Sequence, residues 1–195
     1  MSGAHASLPI AARVRRLEER CIAAGLVDDA RLDRTLERYL AAASPLNGAR
    51  LAARAWADDA FRALLLDDAR AALAELGLAD RLRGREQLRV VANSAERHNV
   101  VVCTLCSCYP LSLLGPSPSW YKSEAYRARM VREPRAVLAE FGLELPPEVQ
   151  VSVWDASAEA RYMVLPRRPA GSEDRSEAEL ARLVTRNGLI GTATV

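Results

Sequence analysis

The chain has 195 residues, half of them hydrophobic, which fits one ordinary globular core with an appended arm. Its 27 basic and 25 acidic residues leave a formal net charge of +2, too small to argue for a nucleic-acid or membrane partner. No apolar run reaches the roughly 20 residues of a membrane helix, and the stretch MSGAHASLPIAARVRR lacks an uninterrupted apolar signal core, so a cytoplasmic location is expected.

From Leu8 to Ala43 the sequence is rich in Ala, Arg, Leu and Glu, and Val14, Leu17, Cys21 and Ala24 recur at helical spacing. That places Cys21 on a buried stripe. Gly25 supplies a helix stop and Asp28 or Asp29 a new N-cap. Leu32, Leu36, Tyr39 and Ala43 then draw a second stripe, which Pro45 and Gly48 break. Residues 1–47 read as a helical arm whose alanine-rich faces are covered by the rest of the chain or, better, by another subunit.

Residues 48–195 read as the main domain. Short helices fill Arg50 to Gly77, with Asp67 or Asp68 capping ARAALAELG. The period then changes: LRVVA at 88–92 and NVVVC at 99–103 are β-branched runs joined by a loop with Asn93, Ser94 and His98, so Cys103 ends a strand. Pro134 opens a helix that stops at Gly142, VSVWD at 151–155 and YMVLP at 162–166 look like paired strands, and Ser176 with Glu179 forms a capping box before LIGTATV. Helices, strands, helix and strands in that order predict an α+β fold, a helical arm followed by a layered α-β-β-α domain.

Three of the four cysteines fall within VCTLCSCYP, as Cys103, Cys106 and Cys108. A spread disulfide framework does not look like this. The cluster can be read as buried thiols, as a zinc site that borrows a fourth ligand from Cys21, His5 or His98, or as an iron–sulfur site completed by Cys21. A thiol–disulfide centre at Cys103 and Cys106 leaves Cys108 without a role. A further reading takes the spacing literally. Only Ser107 separates Cys106 from Cys108, so both sulfurs bind one ion only if the backbone folds around it and brings the amide nitrogens of Ser107 and Cys108 into range. Cys103 then takes an axial place and a sixth position stays open. Deprotonating an amide requires a strongly Lewis-acidic ion such as trivalent iron or cobalt, and the formal charge of about −2 calls for cationic neighbours.

The motif CTLCSC, with ARAWADDAF at 53–61, WYKSEAYRARMVREPRAVLAEFG at 120–142, RYMVLPRRPAG at 161–171 and LVTRNGLIG at 183–191, resembles the α subunits of nitrile hydratases. The resemblance implies hydration of a nitrile to an amide by a hetero-oligomer with a β-type partner subunit. It also implies a non-corrin metal held by Cys103, Cys106, Cys108 and the amides of Ser107 and Cys108. Thr104 and Tyr109 resemble the cobalt form rather than the iron form. By the same resemblance Cys106 becomes a sulfinic acid, Cys108 a sulfenic acid, and Cys103 stays a thiolate. Cys108 would act as nucleophile or base. Ser107 would contribute its hydroxyl at the site, or serve as the small residue that a tight turn admits. Ala92, Ser94 and Ala95 depart from a Glu-Asn-Thr-Pro run in such relatives, and Leu111 replaces a tryptophan. The smaller Leu111 implies a bulky cyano heterocycle or nucleoside as substrate, as in toyocamycin-type nitrile hydratases.

Two rival readings stand beside this one: the cobalt-bearing subunit of a thiocyanate hydrolase, and a non-catalytic metal-binding or assembly protein. Trp56, Trp120 and Trp154 read as packing anchors. Arg127, Arg129 and Arg132 read as a solvated face or a charged interface.

Overall fold

The computed structural model describes residues 8–79, 87–103, 108–157 and 159–195, without the side chains of 39–42. Two compact units follow one another, the boundary lying between Ala42 and Ala43.

The first unit holds α1 (Ile10–Ala23) and α2 (Asp29–Ala42). Gly25, at φ +67°, ends the first helix in a left-handed turn, and the Asp28 carboxylate accepts the Arg31 N–H at 2.7 Å to open the second. Within this unit α1 carries no buried residue. Val14 is 59% and Leu17 63% exposed, and Cys21 is only half-buried.

The second unit begins with α3 (Pro45–Ala57). The Ser44 hydroxyl accepts the Leu46 N–H at 3.2 Å and Pro45 takes the first helical position. Pro45 therefore starts this helix, and the expected boundary at 47 falls inside it. Gly48 is a close-approach residue, not a breaker: a Cβ there would meet Leu189 Cδ1 at 2.7 Å and the Leu113 carbonyl at 2.9 Å. Asp58 closes α3 and caps α4 (Asp59–Asp67), and Asp68 caps α5 (Ala69–Glu75) through the Arg70 and Ala71 N–H groups, each at 3.0 Å.

Strands β1 (Gln87–Ala92), β2 (Arg97–Cys103), β3 (Gln150–Ala156) and β4 (Ala160–Leu165) form two parallel pairs. β1 runs beside β4, from Gln87↔Ala160 to Ala92↔Leu165, and β2 beside β3, from Arg97↔Gln150 to Cys103↔Ala156. β3 and β4 are thus not each other's partners, contrary to the reading of VSVWD and YMVLP as a pair. Parallel neighbours need long crossovers, and the β2-to-β3 connection supplies one through α6 (Leu111–Leu114), a 3₁₀ turn (Ser119–Lys122), α7 (Glu124–Arg132) and α8 (Pro134–Glu140). His98, expected in a loop, lies inside β2 and is buried.

The chain ends with α9 (Glu177–Leu183), opened by the Ser176–Glu179 capping box, and α10 (Arg186–Ile190), capped by Thr185. Helices surround strands that are buried mostly by Val, Leu and Met, so the α+β expectation holds. Among the described residues no helix is long and apolar enough to cross a membrane.

Candidate metal centre

Val100, Val101 and Val102 carry β2 through the core, where β-branched side chains pack well on a pleated strand, and Cys103 ends it at 2% exposure. Beyond residues 104–107, Cys108 is 0% exposed, with Tyr109 and Pro110 buried after it. Cys106 and Ser107 lie outside the described residues. Cys103 and Cys108 belong to one apolar cluster with Leu113, Leu114, Tyr121 and Met130. A thiolate in such surroundings is costly unless a cation pairs with it.

Aromatic rings wall this cluster. The Tyr121 ring stands edge-on to that of Tyr109, centroids 4.9 Å apart. Trp120 packs against Tyr126 at 4.9 Å and Phe141 at 4.6 Å. The Tyr109 hydroxyl donates to the Leu114 carbonyl at 3.4 Å, and the Tyr126 hydroxyl to the Val101 carbonyl at 3.2 Å, tying α7 to β2 two residues before Cys103. Burial pushes all three phenols well above their ordinary pKa, and for Tyr121 the neighbouring Cys103, Tyr126, Tyr109 and Cys108 push further in the same direction.

Positive charge stands close by. Arg127 on α7 donates from Nε to Asp155 at 3.1 Å and again from Nη2, and Asp155 pairs in register with Val102. That hydrogen-bonded carboxylate is the main cause of a raised Arg127 pKa, and Cys103 adds a smaller pull. Arg129 is occupied by Glu133 and Glu140, while Arg132 is exposed, so the three arginines do not act as one patch. Arg186 on α10 donates to the Pro116 carbonyl at 2.6 Å and faces Tyr109.

Behind the strand lies a polar network that the sequence did not announce. The Asn99 N–H donates to Asn93 Oδ1 at 2.7 Å, and Asn99 Nδ2 donates to the Ala92 carbonyl at 2.8 Å. Asn93 Nδ2 and the Gly191 carbonyl flank the two nitrogens of His98 at 3.3 and 2.7 Å. The carbonyl only accepts, so Nε2 carries the proton and Nδ1 accepts from Asn93. Ala92 and Asn93, at the end of β1, thus support β2. A cleft of about 1000 Å³ between α5 and β1, lined by Asp68, Arg89, Trp154 and Tyr162, touches neither Cys103 nor Cys108.

The tryptophans serve as anchors. Trp56 Nε1 donates to the Pro166 carbonyl at 2.8 Å, Trp154 Nε1 to Asn99 Oδ1 at 2.9 Å, and Trp120 sits in the ring cluster.

Two buried sulfurs at a strand end fit a thiolate-binding transition ion better than magnesium or calcium, which take oxygen ligands. Among the described residues no group of three His, Cys, Asp or Glu gathers to hold a metal, and Cys106 lies beyond them. Arg127 and Trp120 were read from the sequence as interface charge and anchor, whereas Tyr121, Tyr126 and Arg186 were missed because their chemistry is ordinary. The one available signal was the density of rings in WYKSEAYR.

Residues 8–193 match the family model described as nitrile hydratase, alpha chain. The low-molecular weight cobalt-containing nitrile hydratase subunit alpha of Rhodococcus rhodochrous is 49% identical over 184 residues, covering 94% of this chain and 88% of that protein. Thiocyanate hydrolase subunit gamma of Thiobacillus thioparus is 46% identical over 169 residues, 82% of this chain and 70% of that one. Among solved structures, a double mutant of the Fe-type nitrile hydratase from Comamonas testosteroni Ni1 is similar with a TM-score of 0.87 at 42% identity, over 95% of this chain and 89% of that one. The chain therefore belongs to the nitrile hydratase alpha chain family.

Proposed function

We propose that this chain is the cobalt-bearing α subunit of a nitrile hydratase that turns a nitrile into an amide together with a β-type partner subunit. The observation that carries the reading is the burial of Cys103 and Cys108 in one apolar cluster on either side of Thr104-Leu-Cys-Ser107. Cobalt is favoured over iron by Thr104 and Tyr109 and by the cobalt-containing relative, although an Fe-type structure is also similar.

Cys103, Cys106 and Cys108, with the amide nitrogens of Ser107 and Cys108, would hold the ion. Bound there, trivalent cobalt supplies Lewis acidity toward the nitrile or water. The remaining work falls to the chain. Cys106 would serve as sulfinate and Cys108 as sulfenate, and the Cys108 oxygen would act as nucleophile toward the nitrile carbon or as base toward the attacking water. The Ser107 hydroxyl holds water or substrate. The aromatic wall of Tyr109, Tyr121 and Trp120 keeps bulk water from the sulfurs, which strengthens each charge–charge contact inside. Arg127 and arginines of the partner offset the negative charge.

The uncovered stripe of α1 suits the arm at 1–47 to clasping that partner, since obligate interfaces bury roughly 2,000–5,000 Å². Leu111 is half-buried at the start of α6, and by the resemblance its smaller side chain in place of a tryptophan would admit a bulky cyano heterocycle or nucleoside. A second reading, a thiocyanate hydrolase subunit, draws on the Thiobacillus relative. Product analysis of the cobalt-loaded complex separates them: amide from nitriles supports the first, carbonyl sulfide and ammonia from thiocyanate the second.

A further inference from the structure

We propose that the open edge of β1 takes up an extended segment of the β-type partner subunit, which adds as a further strand in the cleft beside α5 and sets a carboxylate against Arg89. The inference rests on the partner named in the function proposed above.

Among the described residues β1 pairs with β4 alone. The Gln87 N–H donates to the Glu159 carbonyl at 3.0 Å and the Asn93 N–H to the Leu165 carbonyl at 2.9 Å, so the odd-numbered residues of β1 turn their main-chain groups toward β4. Those of Leu88, Val90 and Ala92 therefore point to the other edge. At one end this chain closes that edge itself, since the Ala92 carbonyl accepts from Asn99 Nδ2 at 2.8 Å. The N–H and C=O groups of Leu88 and Val90 have no such partner among the described residues. The outer edge of β2 shows the contrast. There the Arg97 carbonyl accepts the Ser94 N–H at 2.9 Å, the Asn99 N–H reaches Asn93 Oδ1 at 2.7 Å, and the Val101 carbonyl accepts the Tyr126 hydroxyl at 3.2 Å.

The open groups of β1 face room. Residues 87–91 line the cleft of about 1000 Å³ together with residues 66–70, where α4 gives way to α5. Five residues of strand span roughly 16 Å, and an added strand lies about 4.8 Å from its neighbour. Donors and acceptors alternating at that spacing are matched by a polypeptide backbone, which is how extended segments join sheet edges.

Side chains select the segment. Arg89 is the one charged residue of β1, exposed and without an ion pair to a described residue, so an Asp or Glu opposite it makes the favourable cross-strand pair. Asp67, exposed at the end of α4, suits a basic residue on the segment's far side. The half-buried rings of Trp154 and Tyr162, centroids 5.3 Å apart, line the same cleft and offer apolar surface. Two copies of this chain joined edge to edge over so short a strand would bring their Arg89 side chains together, which like charges disfavour. An unpaired edge beside apolar rings is a hazard for a chain left alone, and an obligate partner removes it.

The test reads hydrogen exchange, amide by amide, on the full chain alone and in its complex with the β-type subunit. The Leu88 and Val90 amides should exchange at least about 10-fold more slowly in the complex, with a smaller change at Arg89 and Val91, which β4 already holds. Arg89→Glu should weaken the complex about 10-fold. Val90→Pro deletes an outward N–H that an edge strand can lose, and should weaken the complex while the chain keeps its urea midpoint. Unchanged exchange at Leu88 and Val90 in a formed complex overturns the proposal, as do variants that bind as tightly as wild type. Protection of these amides in the chain alone, rising with its concentration, gives the edge to a second copy and overturns it too. A chain that forms no complex with a β-type subunit overturns the function proposed above and this inference with it.

Discussion

The indole N–H of Trp154 on β3 reaches across to Asn99 on β2 and donates to its side-chain oxygen at 2.9 Å, while the Asn99 amide donates to Ala92 and Asn93. One buried side chain, 1% exposed, thereby joins β3, β2 and the end of β1. Asn99→Ala removes a partner from the half-buried Ala92 carbonyl and Trp154 indole N–H and should cost about 1–3 kcal/mol. Urea unfolding of the variant checks this. A loss under about 1 kcal/mol would mean that water replaces the amide.

His98 predicts a pH dependence. Burial lowers its pKa below the ordinary 6.5, the bond to Gly191 opposing in part, and Asn93 donates to the nitrogen that would have to take up the proton. The unfolded chain then binds the proton more readily than the fold. Stability from this site is complete above about pH 6.5 and declines as pH falls through the lower folded value. The urea midpoint should therefore drop between about pH 7.5 and pH 5.5, and His98→Gln should flatten that part of the profile.

Gly191 sits at φ +92°, and a Cβ there would lie 2.1 Å from the Asn99 carbonyl oxygen. Gly191→Ala should cost about 3 kcal/mol or more, because backbone on both sides must move. Gly142→Ala is the control. It shares a left-handed φ of +80° but meets nothing within 4 Å, so only the strain of about 1–2 kcal/mol applies. Thermal unfolding of the pair tests whether the close approach matters beyond the dihedral.

Features decided within a few residues were legible in the sequence. The caps at Asp68 and Ser176, the start at Pro134 and the stop at Gly25 need only local geometry, and the structure has each of them. Pairing of strands was not legible. β3 and β4 are separated by a short turn, which suggests a hairpin, but the apolar faces of β2 and β1 claim them instead. Gly48 reads as a breaker until Leu189 and Leu113 are seen to crowd it, and His98 reads as a loop residue until Gly191 supplies its carbonyl. At the site, the sulfur spacing announced itself through rare residues close together. Tyr121 did not, since its place in one apolar cluster with Cys103 and Cys108 comes from the crossover between β2 and β3.

Leu111 offers a test of substrate choice. It packs partly against the core at the start of α6, and tryptophan there would take up several atoms' worth of space. Each methylene-sized difference in a pocket is worth roughly 1–3 kcal/mol. Leu111→Trp should reduce kcat/KM for a cyano heterocycle at least about 10-fold relative to a small aliphatic nitrile. An unchanged ratio would show that Leu111 does not shape the pocket.

The measurement that bears most directly on the central claim is metal analysis with intact mass, made on the complex of this chain with its partner after growth with cobalt. About one cobalt per chain is predicted, as Co(III) by its spectrum, with about three added oxygens on the α chain, two for a sulfinic acid at Cys106 and one for a sulfenic acid at Cys108. Cys103→Ala, Cys106→Ala and Cys108→Ala should each lose the metal. Stoichiometric tetrahedral zinc in a fully active complex, or full activity after loss of any one of these cysteines, would contradict the account.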